Sequence, residues 1–502
     1  MRTALFLLLL LLGVLASWRP AYAQDASPYL PLNHWAMPYV EHLIARGRLT
    51  DPTPLTRPFR EAELLRALEA ADSARLSAAE WAVVRQIKDE LTRRERGPAA
   101  RLDLHAGIAA SSHARRDALR EAGPGHGTVS GGAALTLYFG PAVVVTHPYF
   151  DTRLKWDPDY FGKKDRVIAG RNAEAYAAAQ WRYGEVFFGA VDRNWGPPAV
   201  EGLLLSPSPY SYDHLGVALG TPGVRFEAVL TQLDDLPDTS AALNHRYLVA
   251  HRLVLRPPGK TTLALWEGSL LAGPDRQLEP WFANIFTLGL LAQLDQSEQV
   301  NSLVGLDVTT RIDQTRVFGS LLIDDIQIDR NTATDQEPAQ YGLTFGAQGG
   351  LGGLAWTAFY TRIANLTYRT NNPSETVMRR GVGLARNHSD YDQLTLRASL
   401  LPARGMLLAP EVTLLRQGEG DFRLPYPPVA AYDSTRAFLS GVVERTVRLA
   451  VSGQLSAGAW TVAGNGGVHL ISNAGHVIGT DGTRWVGTLA LTYRYRKVSL
   501  VP

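Results

Sequence analysis

Trp485–Arg496, WVGTLALTYRYR, decides the fold. In an extended chain successive side chains point to opposite faces. Trp485, Leu489, Leu491, Tyr493 and Tyr495 therefore share one face, and Val486, Thr488, Thr492, Arg494 and Arg496 share the other. One face is apolar and ends in aromatic rings, while the other carries arginine in mid-strand. Gln393–Leu400 repeats the pattern, with Leu394, Leu396, Ala398 and Leu400 against Gln393, Thr395, Arg397 and Ser399. So does Arg445–Leu455, with Val447, Leu449, Val451 and Leu455 against Thr446, Arg448, Ala450, Ser452 and Gln454. Strands of soluble sheets run to about 5–6 residues. A tilted strand that crosses a bilayer needs about 9–11, apolar toward lipid and polar toward the lumen. Length therefore favours a transmembrane barrel over a soluble sandwich.

Working outward, Ala459–Leu470, Val304–Ile312 and Gly131–Phe139 carry the same alternation. The barrel reading covers residues 101–502, and at about 20–25 residues per strand and turn it predicts about 16–20 antiparallel strands, an even number. The polar insertions 111–127 and 155–171 are expected as extracellular loops. Before the barrel, residues 24–100 read as a small three-helix unit, a periplasmic cap. Asn33 or His34 is placed to cap a helix bearing Ala36, Tyr39, Val40, Leu43 and Ile44, which ends near Gly47. A second helix carries Ala62, Leu65 and Leu68. A third opens on the capping box Ser77–Glu80 and buries Trp81, Val84, Ile87 and Leu91. Residues 1–23 read as a cleavable export signal: Arg2, an apolar run Ala4–Ala16, and Ala21-Tyr22-Ala23 as the cleavage site.

Composition removes several function classes. The 502 residues hold 50 basic and 48 acidic side chains without a basic block, so nucleic acid is not an expected partner. No cysteine is present, which excludes disulfides, thiolate metal sites and cysteine nucleophiles. No run of 18 apolar residues is available for a helical span. His245 and His251 lack the helical spacing of zinc proteases, no G-x-S-x-G occurs, and Gly349–Gly353 reads as a hairpin turn rather than a phosphate loop. No cofactor, metal site or catalytic group is expected. Asp157-Pro158-Asp159 reads as a solvated loop, with calcium or sugar binding as the alternative.

Recognition is expected instead in the proline–aromatic stretch Phe187–Leu219, FFGAVDRNWGPPAVEGLLLSPSPYSYDHLGVAL. Asp192, Arg193 and Trp195, followed by Tyr210 and Tyr212, offer a stacking platform with charged donors and acceptors, or else anchor and pack a plug loop. Several segments in order resemble the capsule-assembly protein Wzi family: DRNWGPPAVEGLLLS (Asp192–Ser206), RYLVAHRLVLRPPGKTTLALWEG (Arg246–Gly268), FGSLLIDDIQID (Phe318–Asp329) and Phe359-Tyr360-Thr361-Arg362. The resemblance implies an outer-membrane barrel of about 18 strands with a helical bundle at its periplasmic side. It also implies a lectin-like role, with capsular polysaccharide held at the cell surface and Arg252, Glu267, Asp324 and Asp325 added to the binding set. Two features depart from the family. Pro207-Ser208-Pro209 replaces its asparagines, and the end Leu500-Val501-Pro502 lacks a terminal aromatic. The segment HWAMPYVEHLIARGRLTDPTPLTRPFREAELLRAL resembles one S-layer-homology repeat, which adds peptidoglycan or another wall polymer as a partner. Outer-membrane lipid and the barrel-assembly machinery complete the expected partners. The alternative function is a general porin for small solutes, and a barrel enzyme ranks third.

Overall fold

A computed structural model describes residues 25–93, 97–296, 300–325, 332–333 and 336–500; the predicted export signal lies outside the described residues. Eighteen strands follow one another around a closed antiparallel barrel. They begin with β1 (Ala99–Ser111), β2 (His126–Phe139), β3 (Ala142–Asp151), β4 (Ala169–Trp181), β5 (Gly184–Ala190) and β6 (Asp213–Gly220). Next come β7 (Val224–Gln232), β8 (Leu243–Leu255), β9 (Thr261–Gly273), β10 (Val300–Ile312), β11 (Thr315–Asp325) and β12 (Gln340–Leu351). The last are β13 (Leu354–Ile363), β14 (Tyr391–Ala403), β15 (Met406–Gln417), β16 (Glu444–Ala457), β17 (Trp460–Ser472) and β18 (Gly482–Leu500). Closure is made by β1 on β18, in register from Ala99 opposite Leu500 to Ser111 opposite Thr488. A closed barrel satisfies every strand edge, which is the condition for crossing a bilayer with strands.

The two faces follow the alternation of the sequence. On β18, Trp485 is 78% exposed and Leu489 61% exposed on the outer face, while Arg494 and Arg496 point into the lumen. One end of the barrel has short turns, several of them built on residues with positive φ such as Gly405 and Gly458, where a Cβ would be strained. The opposite end carries the long loops, including 191–212, 364–390 and 418–443, and the segment 274–296 leaves from it.

The short-turn end is filled by the helical unit, α1 (Met37–Ala45), α2 (Glu61–Glu69) and α3 (Ala78–Leu91). The capping box at Ser77 and Glu80 forms as expected from sequence. Neither Asn33 nor His34 caps α1, whose N-cap is Ala36; the His34 ring instead accepts from the Ala36 amide. On α2 it is Leu64 and Leu68 that are buried, rather than Leu65. Apolar side chains of all three helices share one core, which Leu407 of β15 joins from the barrel wall. The unit is tied to the short turns: Tyr39 Oη donates to Gly405 O at 2.7 Å, the Ala26 amide to Gly140 O at 2.7 Å, and Arg256 Nη1 to Pro52 O at 2.9 Å. Ion pairs join it to the inner wall, Glu61 with Arg101, Asp51 with Arg316, Glu90 with Arg496, and Arg60 with Glu185.

From the other end, loops 191–212 and 364–390 fold inward and pack against each other and the wall. Their core holds Trp195, Leu203, Leu204, Leu205, Tyr368 and Leu384 together with Leu248 and Trp266 of β8 and β9. Arg246 anchors the second loop. Its guanidinium is fully buried and donates to the carbonyls of Ser374, Thr376 and Met378. Loop 191–212 reaches the helical unit itself, where Asn194–Trp195 pairs with Thr56–Arg57 and the Gly196 amide donates to Leu55 O.

A third excursion goes the other way. After β9 the chain forms α4 (Pro280–Ala283) and α5 (Gly289–Gln296), which lie on the outer face over β7 to β10. Phe282 is buried there among Val249, Leu271, Ala292 and Val300, and Phe286 stacks edge-on against Phe226.

Candidate functional site

A cavity of about 590 Å³ lies at the short-turn end, between the helical unit and the wall of β5 to β8. Its lining is arginine-rich. Arg60, Arg66, Arg182, Arg193, Arg225 and Arg256 border it, against Glu63, Glu185 and Glu227. Strand alternation puts Glu185, Arg225 and Glu227 on the inner face, and the helical unit contributes Tyr29, Arg60 and Glu63. Tyr29 Oη donates to Glu185 at 2.5 Å, and Arg60 meets the other oxygen of that carboxylate. Ion pairing between the two walls therefore leaves the channel-like space lined by charged groups that are already oriented.

At its inner end the cavity narrows at Arg193. Arg193 and Val229 border both this cavity and a small void of about 10 Å³ on the loop side, lined also by Asp192, Tyr212 and His214. The Arg193 guanidinium lies 4.5 Å from the Phe187 ring and 5.2 Å from the Tyr29 ring, and its Nε donates to His214 Nε2 at 2.7 Å. His214 Nδ1 is 3.0 Å from Tyr212 O, so the ring donates there and accepts at Nε2, which makes it neutral. Burial pushes the Asp192 carboxyl up, against the pull of Arg171 and Arg116, and Tyr212 is pushed up to about 12. Toward the loop end a second space of about 290 Å³ is lined by Arg115, Arg120, Glu121, His388, Glu419 and His469, among others.

The residues expected from sequence fall into four places. Asp192, Arg193 and Tyr212 surround the narrow point. Trp195 and Arg252 meet below it: the Arg252 guanidinium is 5.3 Å from the Trp195 ring and donates to Thr56 Oγ1 at 2.9 Å and Leu55 O at 2.8 Å. Trp195 borders the wide cavity but is only 3% exposed, so its ring is almost wholly covered by protein. Tyr210 is buried in the loop end, where its hydroxyl donates to Asp157 at 2.5 Å and its ring sits between Arg116 and Arg171. Asp157 is itself fully buried and also meets Arg153, so the expected solvated loop is a packed one. Asp324 accepts the Tyr368 amide and holds loop 364–390, while Asp325 lies beyond a register shift, opposite Gln340. Glu267 points the other way. It faces outward on β9, 2.9 Å from His251 Nδ1, under the α5 amide of Gly289 at 2.6 Å. The alternation on β5 and β7 was the available signal for Glu185, Arg225 and Glu227. Nothing local in the sequence brings Tyr29 and Arg60 opposite them. Among the described residues no cluster of three or more metal-ligating groups occurs.

No family model matches the chain, and no curated protein matches it. Solved structures similar to it are barrels of Pseudomonas aeruginosa. OprD is 9% identical, with 81% of this chain and 98% of that chain covered at a TM-score of 0.45. The outer membrane protein OpdK is 12% identical, with coverages of 80% and 99% and a TM-score of 0.46. OccK10 (OpdN) is 10% identical, with coverages of 80% and 99% and a TM-score of 0.42. The Wzi-like reading does not stand. The similar structures carry the names OprD, OpdK and OccK10, and none of these is a capsule-assembly protein. With it go the lectin role, the capsule-assembly assignment and polysaccharide as a partner. The geometry agrees, because the proposed sugar platform at Trp195 is covered and Glu267 lies outside the lumen. The chain is an outer-membrane β-barrel set in the lipid bilayer. In such barrels the short turns face the periplasm and the long loops face outward.

Proposed function

We propose that this barrel is a porin for small solutes, narrowed by its own loops and by the helical unit in its periplasmic mouth. The observation that carries the reading is the arginine-lined cavity of about 590 Å³ that ends at Arg193. A space of that size fits the ~300–1,000 Å³ range of small-molecule sites. Six arginines against three glutamates in the lining give the passage a positive field, and a low-dielectric wall focuses it. Anions are therefore favoured over cations. Transport of this kind needs positioned charges and no covalent chemistry.

Planar-bilayer recording of the purified full chain tests the proposal. Wild-type barrels are expected to conduct in small steps and to show an anion-selective reversal potential under a salt gradient. A variant lacking residues 25–97 is expected to conduct in larger steps, because the mouth is then open. A correctly assembled barrel that conducts in neither form would overturn the reading.

A further inference from the structure

The helical unit carries its hydrophobic core with it. Leu43, Ile44, Phe59, Leu64, Val84 and Ile87 are buried against one another by the unit's own helices, and Leu407 is the buried wall residue in that cluster. Elsewhere its apolar contacts with the wall are small: Leu55 against Val254 and Ala264, and Ala26 and Tyr29 beside Tyr138 and Phe187. The rest of the seam is charge and hydrogen bonding. We propose that the unit is a removable plug, held in the periplasmic mouth by this polar seam and able to leave it as one body. The consequence for solute passage rests on the porin reading, while the movement does not.

Charge is divided across the seam. The unit offers Glu61, Asp51 and Glu90, which the wall meets with Arg101 at 2.7 Å, Arg316 at 2.8 Å and Arg496 at 3.3 Å. Arg60 with Glu185 is a pair of the reverse sense. Wall arginines also reach backbone of the unit: Arg252 donates to Leu55 O at 2.8 Å and Arg256 to Pro52 O at 2.9 Å. Groups of this kind exchange their partners for water when two surfaces part, so little net hydrogen bonding is lost. An apolar face would have no such compensation, and the unit presents little of one. Packing points the same way. On the side facing β5 to β8 the unit and the wall stand apart around the cavity of about 590 Å³, whereas permanent interiors pack with few voids. Polar interfaces within a chain are those across which domains move. One backbone joint opposes the movement, Thr56–Arg57 paired with Asn194–Trp195 and the Gly196 amide on Leu55 O. The covalent tie to β1 is residues 92–98. Seven residues reach about 25 Å when extended, so the tie lets the unit swing aside.

Thiol accessibility of the full chain tests this, since the chain has no cysteine of its own. Ala264→Cys reports on the wall beneath Leu55, and Val84→Cys, in a separate protein, reports on the core of the unit; the two sites are 0% and 1% exposed. Maleimide labelling rates are read at low and high salt in barrels verified by heat-modifiable mobility. The Ala264→Cys thiol is expected to label faster as salt rises, because screening weakens the seam, while the Val84→Cys thiol stays protected. Adding Arg101→Gln and Arg316→Gln should speed labelling at Ala264→Cys roughly tenfold, the effect of two weakened pairs of this partly exposed kind. Arg101→Lys with Arg316→Lys keeps both charges and should stay near the parent. Equal labelling at the two sites would mean that the unit unfolds in place, and no labelling at Ala264→Cys under any of these conditions would mean that it never leaves; either result overturns the plug. In bilayers the full chain should show brief steps of the size seen in the variant lacking residues 25–97, more often at high salt. Their absence while that variant conducts would also overturn the plug. Absence of conductance in that variant would instead overturn the porin reading and leave the plug standing on its labelling.

Discussion

At the scale of single residues, the same chemical type does opposite work according to the face it occupies. Arg252 and Arg246 lie on the inner face of β8 and are spent on carbonyls of inward-folding segments, Leu55 for the first and Ser374, Thr376 and Met378 for the second. Replacing Arg246 by Ala leaves several buried carbonyls without donors, at about 1–3 kcal/mol each. Loop 364–390 should then leave the lumen, read as faster protease cleavage within it and larger conductance steps in an otherwise assembled barrel. The faces of β18 give a second test. Leu491→Arg puts a charge toward lipid at a cost of about 2–4 kcal/mol near the midplane. Thr492→Arg faces the lumen and should cost far less. Equal loss of the compact, heat-modifiable form from the two changes would contradict the register of β18 on β1 and β17.

At the scale of elements, the helical unit and the α4–α5 excursion each bury something the barrel cannot bury alone. His42 of α1 packs against the wall, its ring 2.8 Å from Ser399 Oγ. Burial, with Arg46 nearby, lowers its pKa to about 4. Between that value and the ordinary ~6.5, the unfolded chain binds the proton and the folded one does not. The contribution of neutral His42 is thus complete above about pH 6.5 and lost as pH falls toward 4, by up to about 3 kcal/mol. Amide exchange in α1 should quicken over that interval, and His42→Gln should flatten the dependence. On the outer face, α4 and α5 cover the His251–Glu267 pair, which would otherwise meet hydrocarbon. Exchanging residues 277–297 for a short Gly–Ser turn should destabilise the barrel by about 2–4 kcal/mol, the depth-dependent scale for a charge on the lipid face. Adding His251→Leu and Glu267→Leu to that variant should restore stability in urea titrations. Failure of the double change to rescue would mean that the excursion stabilises by its apolar contacts alone.

At the scale of the whole molecule, the architecture is a closed wall with three inserts, two from the loop end and one from the N-terminal side. Loop 191–212 joins the other two, meeting the helical unit at Trp195 and Thr56 and loop 364–390 at Leu203 and Tyr368, which is why so little of the lumen stays open. Cells producing the full chain should yield it in the outer-membrane fraction, with a lower apparent mass unboiled than boiled. Recovery as a soluble periplasmic protein would contradict the barrel. The capsule-assembly resemblance shows what motifs alone cannot carry. W-G-P and L-L-L-S are present from Trp195 to Ser206, yet here they form the buried joint between a loop and the helical unit. The same letters on an open loop would present a ring to solvent.

What the sequence by itself determined is the wall. A period of two over long strands, with leucine facing one way and arginine the other, is local information, because each residue's face follows from its neighbours and the two solvents differ so strongly. The helices of residues 37–91 were legible for the same reason, through a capping box and a 3.6-residue period. What only the tertiary structure decided is the content of the lumen and the exceptions on the wall. Glu267 and His251 are polar yet fall in phase with the outward-facing Leu265 and Val249, and their permission to face outward comes from the covering segment that brings Phe282 and the Gly289 amide over them. Tyr29 and Arg60 stand opposite Glu185 across more than a hundred residues of chain. No pattern along the chain encodes that meeting, because it depends on which segments enter a closed space and on the ion pairs that form once they are inside.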